Sequence, residues 1–340
     1  MTSETRDHFD RPLRDLRVSV TDHCNFRCSY CMPADLFHDG YRFLPIDQLL
    51  SFDEIERVVR VGVSLGVSKV RLTGGEPLLR PDLASLIERL ARIDGLKDLT
   101  LTTNGFLLAD HAATLARAGL QRITVSLDTI DPELFAARSG KNRDLSRVLA
   151  GIAAARDAGL PPAKINCVVQ RGINDHGMVD LAQHFRHSGH VVRFIEYMDV
   201  GTLNDWDRSR VVTGAEILTM LSSIAPLEAM PATYTGEVAR RYRFVDGSGE
   251  IGLINSVSEP FCGDCHRARL SADGRLLTCL FSTDGLSLRD RIRNNITDAE
   301  LRTTLDNLWR ARTDRYSELR ADSTASDSAR RRLEMYQIGG

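Results

Sequence analysis

The chain has 340 residues, a formal net charge of −2 and seven cysteines. That length accommodates a sizeable α/β core with an appendage. The balanced charge excludes a global basic field of the kind a long nucleic acid requires, and no apolar run is long enough to span a bilayer. Met1 to Pro12 is polar and charged, so it reads as a flexible arm (1–12) and not as a signal or transit peptide. A cytoplasmic, reducing setting is therefore expected, in which clustered cysteines point to metal and not to disulfides.

From Leu13 onward, strand patterns alternate with helical ones. Leu16–Thr21, Lys69–Thr73, Asp98–Thr103, Arg122–Asp128, Lys164–Gln170 and Val191–Met198 read as strands. Ser51-Phe-Asp-Glu54 is a capping box opening a helix that buries Ile55, Val58 and Val59. Pro81 starts another helix through Ile93, and further helices fit Asp110–Ala118, Asp144–Ala158 and Met178–Arg186. This alternation implies parallel strands with right-handed crossovers. Six units are too few for a closed eight-stranded barrel, so the fold expected over 13–212 is α/β, an incomplete parallel β/α barrel.

Side chains alternate across a strand, and one face here is polar: Arg17, Ser19 and Thr21; Lys69, Arg71 and Thr73; Thr100, Thr102 and Asn104; Thr124, Ser126 and Asp128; Lys164 and Asn166. The opposite face is apolar throughout. A barrel built this way has a cationic lumen, which is costly unless it is hydrated or liganded. In the sixth strand Arg193 and Met198 fall on opposite parities, which calls for a bulge.

Beyond residue 212 the repeat changes to a C-terminal extension, 213–320. Thr213-Gly-Ala-Glu216 caps one more helix, and hairpins follow: Arg241–Val245 with Glu250–Val257, and Arg267–Ser271 with Arg275–Cys279 around Asp273-Gly274. Gly247-x-Gly249-x-x-Gly252 matches a dinucleotide fingerprint by letter, but it lies in a hairpin and opens no helix. Thr297-Asp-Ala-Glu300 caps a last helix. Ala321–Ser328 has the composition of a linker, within a 321–340 segment ending in Gly339-Gly340.

Two cysteine sets carry the chemistry. Cys24, Cys28 and Cys31 form C-x₃-C-x₂-C on one loop, enough to hold three irons of a cubane cluster and leave the fourth open. Cys262, Cys265 and Cys279 form a second set of three, for which zinc with His266 as fourth ligand is the competing reading. Arg267 and Arg269 share a strand face beside it and suit an oligophosphate. Cys167 stands alone in a strand pattern and reads as a small core residue.

The first cysteine run, with Tyr30 before its last cysteine and Gly74-Gly-Glu-Pro77 after the second strand, resembles the radical S-adenosylmethionine superfamily. Adding Ser126-Leu-Asp128, Lys164-Ile-Asn166, Arg171-Gly-Ile-Asn174, Met198-Asp-Val-Gly201, the second cysteine set with Arg-x-Arg and the double-glycine tail, nearly the whole chain resembles the GTP 3′,8-cyclase family of molybdenum cofactor biosynthesis. His266 and Ala268 depart from the residues expected there, Asn and Leu. The resemblance implies a lyase using two 4Fe–4S clusters and S-adenosylmethionine. A 5′-deoxyadenosyl radical takes H3′ of GTP, and C3′ adds to guanine C8 to give 3′,8-cyclo-7,8-dihydroguanosine 5′-triphosphate. It further implies that Tyr30, Gly75, Ser126 and Met198 contact S-adenosylmethionine, and that Arg17, Lys69, Arg71, Thr102, Lys164, Arg193, Arg267 and Arg269 bind substrate. The open iron of the second cluster would hold the guanine, and Arg17, Gly339 and Gly340 would serve catalysis. Implied partners are GTP, an external electron donor and the enzyme that converts the cyclised nucleotide to cyclic pyranopterin monophosphate. A homodimer is compatible with all of this, as is a monomer. The rival readings are a peptide-modifying enzyme of the same superfamily with an auxiliary cluster, and a non-catalytic iron–sulfur or zinc protein.

Overall fold

The structure is a computed structural model, and residues 4–38, 40–140, 143–320 and 332–339 are described. The Ala321–Ser328 linker and Gly340 lie outside the described residues.

Six strands, β1 (Asp15–Ser19), β2 (Lys69–Thr73), β3 (Asp98–Thr103), β4 (Arg122–Ser126), β5 (Lys164–Val169) and β6 (Val191–Glu196), pair in parallel and in chain order. The crossovers carry α1 (Phe52–Ser64), α2 (Leu83–Ala91), α3 (Leu108–Arg117), α4 (Pro132–Ser139), α5 (Leu145–Asp157) and α6 (Met178–Phe185). Ser51 caps α1 with the reciprocal bonds of a capping box, as its sequence requires. Val18, Val70, Leu72, Leu101 and Val125 are fully buried in one apolar cluster with Val58, Val59, Leu86 and Ile87 of the covering helices. The incomplete parallel barrel is thus present, with its apolar face outward under the helices.

The C-terminal region extends the same sheet from both sides. After α7 (Gly214–Leu221) come β7 (Leu227–Met230), β8 (Arg240–Phe244), β9 (Glu250–Ile254), β10 (Arg267–Leu270), β11 (Arg275–Leu277) and β12 (Leu286–Ser287). The order across the sheet is β12-β11-β10-β1-β2-β3-β4-β5-β6-β9-β8-β7. Both β10 on β1 and β9 on β6 are parallel pairings, so eight adjacent strands run parallel, and antiparallel strands finish each edge. α8 (Leu288–Arg293) packs on β11, and α9 (Asp298–Arg310) packs on α1.

Two expectations need correction. The N-terminal segment is not a free arm where it is described: Thr5, Asp7, Arg11 and Leu13 are buried. Thr5 N–H donates to Leu65 O at 3.1 Å, and the indole of Trp309 donates to Arg11 O at 2.9 Å. Polar composition hid this because the polar groups are consumed inside the protein. Nor does the sixth strand need a bulge: it ends at Glu196, so Met198 lies beyond the pleat and its parity no longer matters.

Candidate active site

Parallel register sets the polar side chains in rows. In one row Arg267, Asp15, Lys69 and Asp98 are successive cross-strand neighbours, so charge alternates. The Lys69 ammonium lies 3.8 Å from Asp15 and 3.6 Å from Asp98. In the next row Arg269, Arg17 and Arg71 stand side by side with no acid between them. Like charges directly opposite are destabilising in a sheet. Burial and the guanidiniums of Arg269, Arg71 and Arg267 accordingly hold Arg17 well below the usual arginine range. Arg71 spends one nitrogen on the hydroxyls of Thr102 and Thr124, at 3.0 and 3.1 Å, and Arg193 Nε donates to Asn166 at 2.9 Å. Burial, then Arg193, Arg122, Lys69 and Arg71, push Lys164 down to about 8. Buried Nε atoms of Arg17 and Arg71 find no hydrogen-bond partner among the described residues.

These rows face one cavity of about 430 Å³, lined by ten arginines and lysines against four carboxylates. Strands from β10 to β9 contribute to it, so the sheet curves around it. All eight expected substrate residues (Arg17, Lys69, Arg71, Thr102, Lys164, Arg193, Arg267 and Arg269) line it, as do Cys262, Cys265, Cys279 and Met198. Asp15 and Arg122 share the lumen parity of their strands and line it too, a signal present in the sequence and overlooked. Tyr234, from the β7–β8 loop, had no such signal.

Cys24, Cys28, Cys31, Tyr30, Gly75 and Ser126 stand outside the cavity lining. The first cysteine loop is held by backbone contacts. Val20 N–H donates to Thr73 O, Gly75 N–H to Thr21 O and Glu76 N–H to His23 O, at 2.9, 2.8 and 2.7 Å. Glu76, fully buried, takes the Thr103 hydroxyl and the Asn104 N–H, each at 2.7 Å, and Asn104 in turn donates to Asn25 beside Cys24. Burial pushes the Glu76 carboxyl up to about 7 against these bonds. Tyr30 donates to Asp128 at 2.9 Å, and Arg138 donates to the same oxygen at 3.0 Å while its guanidinium lies over the Tyr30 ring. Cys167 is buried in the core, as its strand position implied, with its thiol 3.5 Å from Asp128 O and 3.7 Å from Asn174 Nδ2.

A β-carbon at Gly75 would lie 2.5 Å from the His23 carbonyl carbon and 2.7 Å from the Asp22 carbonyl oxygen, both rigid backbone of the cysteine loop. Gly75→Ala is therefore expected to push the cysteine loop off β2 and strip the first set of its metal. Iron per reconstituted chain should fall from about eight to about four.

The donor sets fit clusters. Burial raises all three thiols of the first set, Cys24 to about 12, and for Cys31 the neighbouring Cys28 and Cys24 add to it. Three crowded thiols of this kind ionise only when a cation holds them. The Phe26 N–H points at Cys24 Sγ from 3.4 Å. In the second set, burial raises Cys279 to about 11, with Asp314 adding to it. For Cys265 burial opposes, but Arg267 and Arg312 outweigh it and bring the thiol down to about 6. Arg267 and Arg312 donate to its sulfur at 3.4 and 3.2 Å. His266 is buried at the cavity with neither ring nitrogen hydrogen-bonded among the described residues.

Between the cavity and the first cysteine loop lies the tail. Tyr336 packs on Met32 and Phe37 beside Cys24 and Cys31, while Met335 lines the cavity. Ile338 is buried completely, and Arg269 Nη1 donates to Ile338 O at 3.4 Å and to Gly339 O. Arg269 thus has a partner inside the protein that a pure phosphate role did not anticipate.

A family model described as Radical SAM superfamily matches residues 18–185, and one described as Molybdenum Cofactor Synthesis C matches residues 190–318. A Xanthomonas axonopodis pv. citri (strain 306) protein named GTP 3′,8-cyclase is 54% identical over 340 residues, covering 100% of both chains. The chain belongs to the GTP 3′,8-cyclase family. Another GTP 3′,8-cyclase, from Acidothermus cellulolyticus (strain ATCC 43068 / DSM 8971 / 11B), is 48% identical over 362 residues and 100% of both chains. The fold of this chain is similar to that of Streptococcus suis SuiB bound to S-adenosylmethionine. That structure has a TM-score of 0.61 and 16% identity, over 93% of this chain and 69% of that one. A four-iron cluster and S-adenosylmethionine follow from the cyclase family, and a second cluster is consistent with its matched C-terminal region. Among the described residues no helix is long and apolar enough to cross a membrane.

Proposed function

We infer that this chain is itself a GTP 3′,8-cyclase, converting GTP to 3′,8-cyclo-7,8-dihydroguanosine 5′-triphosphate in the first step of molybdenum cofactor biosynthesis. The observation that carries the reading is the row of Arg269, Arg17 and Arg71, two buried and Arg17 partly buried, adjacent across three strands with no acid between them and set beside three free thiols in one cavity. Cations removed from water with too few counter-ions cost several kcal/mol each, and a triphosphate supplies the missing charge. A peptide substrate would not.

Cys24, Cys28 and Cys31 would hold the cluster that, with S-adenosylmethionine, supplies hydrogen-atom abstraction at C3′ of GTP. Tyr30, Gly75, Ser126 and Met198 would contact that cofactor, and Cys262, Cys265 and Cys279 would hold the second cluster next to the base. The chain's own share is positioning. Arg17, Arg71, Lys164, Arg193 and Arg267 bind the phosphates, with Lys69 and Thr102 orienting them, because forked donors on a rigid sheet fix an oligophosphate with little loss of entropy. Helices outside and the tail above keep water from the reacting carbon. An external reductant and the enzyme that consumes the cyclised nucleotide complete the proposal, in a cytoplasmic setting.

The pH dependence of binding tests the site. Without substrate Lys164 loses its proton near pH 8, since its ammonium is held down by burial and by neighbouring cations. A bound triphosphate raises it again, so binding takes up a proton. GTP affinity should fall as pH rises from about 7 to 9, by up to tenfold per unit for one linked proton. Lys164→Met should bind less tightly and flatten that slope. Calorimetric titration of GTP into both proteins reads it, and equal slopes would remove Lys164 from the phosphate site.

A further inference from the structure

We propose that Asp7, Arg11 and Arg312 form a buried bracket that holds the second cysteine set, and that Arg312 tunes the reduction potential of the cluster bound there. The inference rests on the proposal that Cys262, Cys265 and Cys279 ligate a four-iron cluster.

The bracket joins three distant parts of the chain. Asp7 Oδ2 accepts from Arg11 Nε at 2.6 Å and from Arg312 Nη1 at 3.3 Å. The Asp7 side chain is 0% exposed and each arginine 2%. One carboxylate thus bridges two guanidiniums, Arg312 Nε adds an ion pair with Asp314 at 3.4 Å, and each guanidinium grips a different cysteine. Arg11 Nη1 donates to Cys262 O at 2.7 Å, and Arg312 Nη1 donates to Cys265 O at 2.6 Å. Asp314 extends the grip to the third cysteine: its backbone oxygen takes Arg11 Nη1 at 2.9 Å, and its carboxylate takes the hydroxyl of Thr278, next to Cys279, at 2.6 Å.

The two arginines differ in what they offer the cysteines. Toward that set Arg11 reaches only a backbone oxygen, whereas Arg312 Nη2 also points at Cys265 Sγ from 3.2 Å. Hydrogen bonds to ligand sulfurs are a principal lever on cluster potentials, and outer partners orient the ligands themselves. One-electron reduction adds negative charge to the cluster, and a cationic N–H aimed at its sulfur stabilises the reduced form more than the oxidised one. Arg312 therefore holds the potential up, while Arg11 and Asp7 keep it in place. Clusters at the N-terminal set lie outside this network and serve as the internal reference.

The test compares Arg312→Lys with Arg11→Lys. Both variants keep the buried charge against Asp7, so both are expected to fold, and a merely structural bracket would make them behave alike. Full-length protein is reconstituted anaerobically and titrated with a one-electron reductant under paramagnetic resonance. A Cys24→Ser/Cys28→Ser/Cys31→Ser background assigns the C-terminal signal. Arg312→Lys should move that signal to more negative potential by about tenfold in the reduction equilibrium, about 59 mV, with the N-terminal signal unmoved. Arg11→Lys should leave the potential in place while the C-terminal cluster loses iron faster to a chelator. Equal potentials in Arg312→Lys and the parent would overturn the tuning role, as would equal shifts in both variants. Zinc in place of iron in the parent background would instead sink the second-cluster assignment on which the inference rests.

Discussion

Cys28→Ser is expected to abolish reductive cleavage of S-adenosylmethionine, and with it all cyclisation. Cys28 sits where the loop turns back: the N–H groups of Cys31 and Met32 both donate to its carbonyl, at 2.9 and 2.8 Å, which brings its sulfur toward Cys31. Burial and the Asp128 charge push its thiol far up, so the free protein keeps it neutral, and only bound iron would hold it as thiolate. Serine matches the volume, but an alkoxide is a far poorer ligand for this soft site. The loop should keep its fold through the Thr21, His23 and Glu76 contacts, and GTP should still bind because none of the lumen cations is touched. Measured by 5′-deoxyadenosine release, activity should drop to background. Continued release would mean that the N-terminal cysteines do not hold the reactive cluster.

Gly339→Ala should uncouple the reaction: cyclisation falls about a hundredfold while both clusters and GTP binding remain. Gly339 has φ +70°, in the left-handed region, and an alanine there costs about 1–2 kcal/mol. Its β-carbon would also run into the Thr73 side chain and lie 3.1 Å from Ser19 Oγ. Thr73 is β-branched and sits at the end of β2, so it has little room to yield. Overlap of this kind adds about 1–3 kcal/mol, and the sum reaches two orders of magnitude in population. The tail then leaves Arg269, opening the space between the cysteine loop and the cavity. Product formation should drop while 5′-deoxyadenosine release continues. Full product formation by the variant would reduce the tail to a structural plug.

Much of this was readable in order along the chain because it is local. Strand parity is a two-residue property, so Arg17, Lys69, Arg71 and Lys164 could be assigned to one lumen before any topology was known, while Arg193 could not. Arg122 obeyed the same rule, at the first position of its strand, and was passed over. Helix α4 was missed although Asp131 caps it and Pro132 opens it; its weak amphipathic pattern gave no period to follow. What could not be read is long-range. Nothing near Asp7 announces that its carboxylate joins Arg312, and nothing in the hairpins announces that they extend the edges of one sheet. Polar residues in a terminal segment look solvated until the partners that bury them are known, and here those partners come from the other end of the chain.

The pairing of β10 with β1 has a consequence for how the protein is made. The first strand to leave the ribosome must wait for a neighbour from the last third of the chain, and Arg11 must wait for the Cys262 carbonyl, 251 positions away. Contacts of such separation are slow to form and leave an unpaired strand edge exposed meanwhile. Pairing at this seam therefore comes late, and metal loading at the second cysteine set, as proposed, would report that Arg11 and β10 have both found their partners.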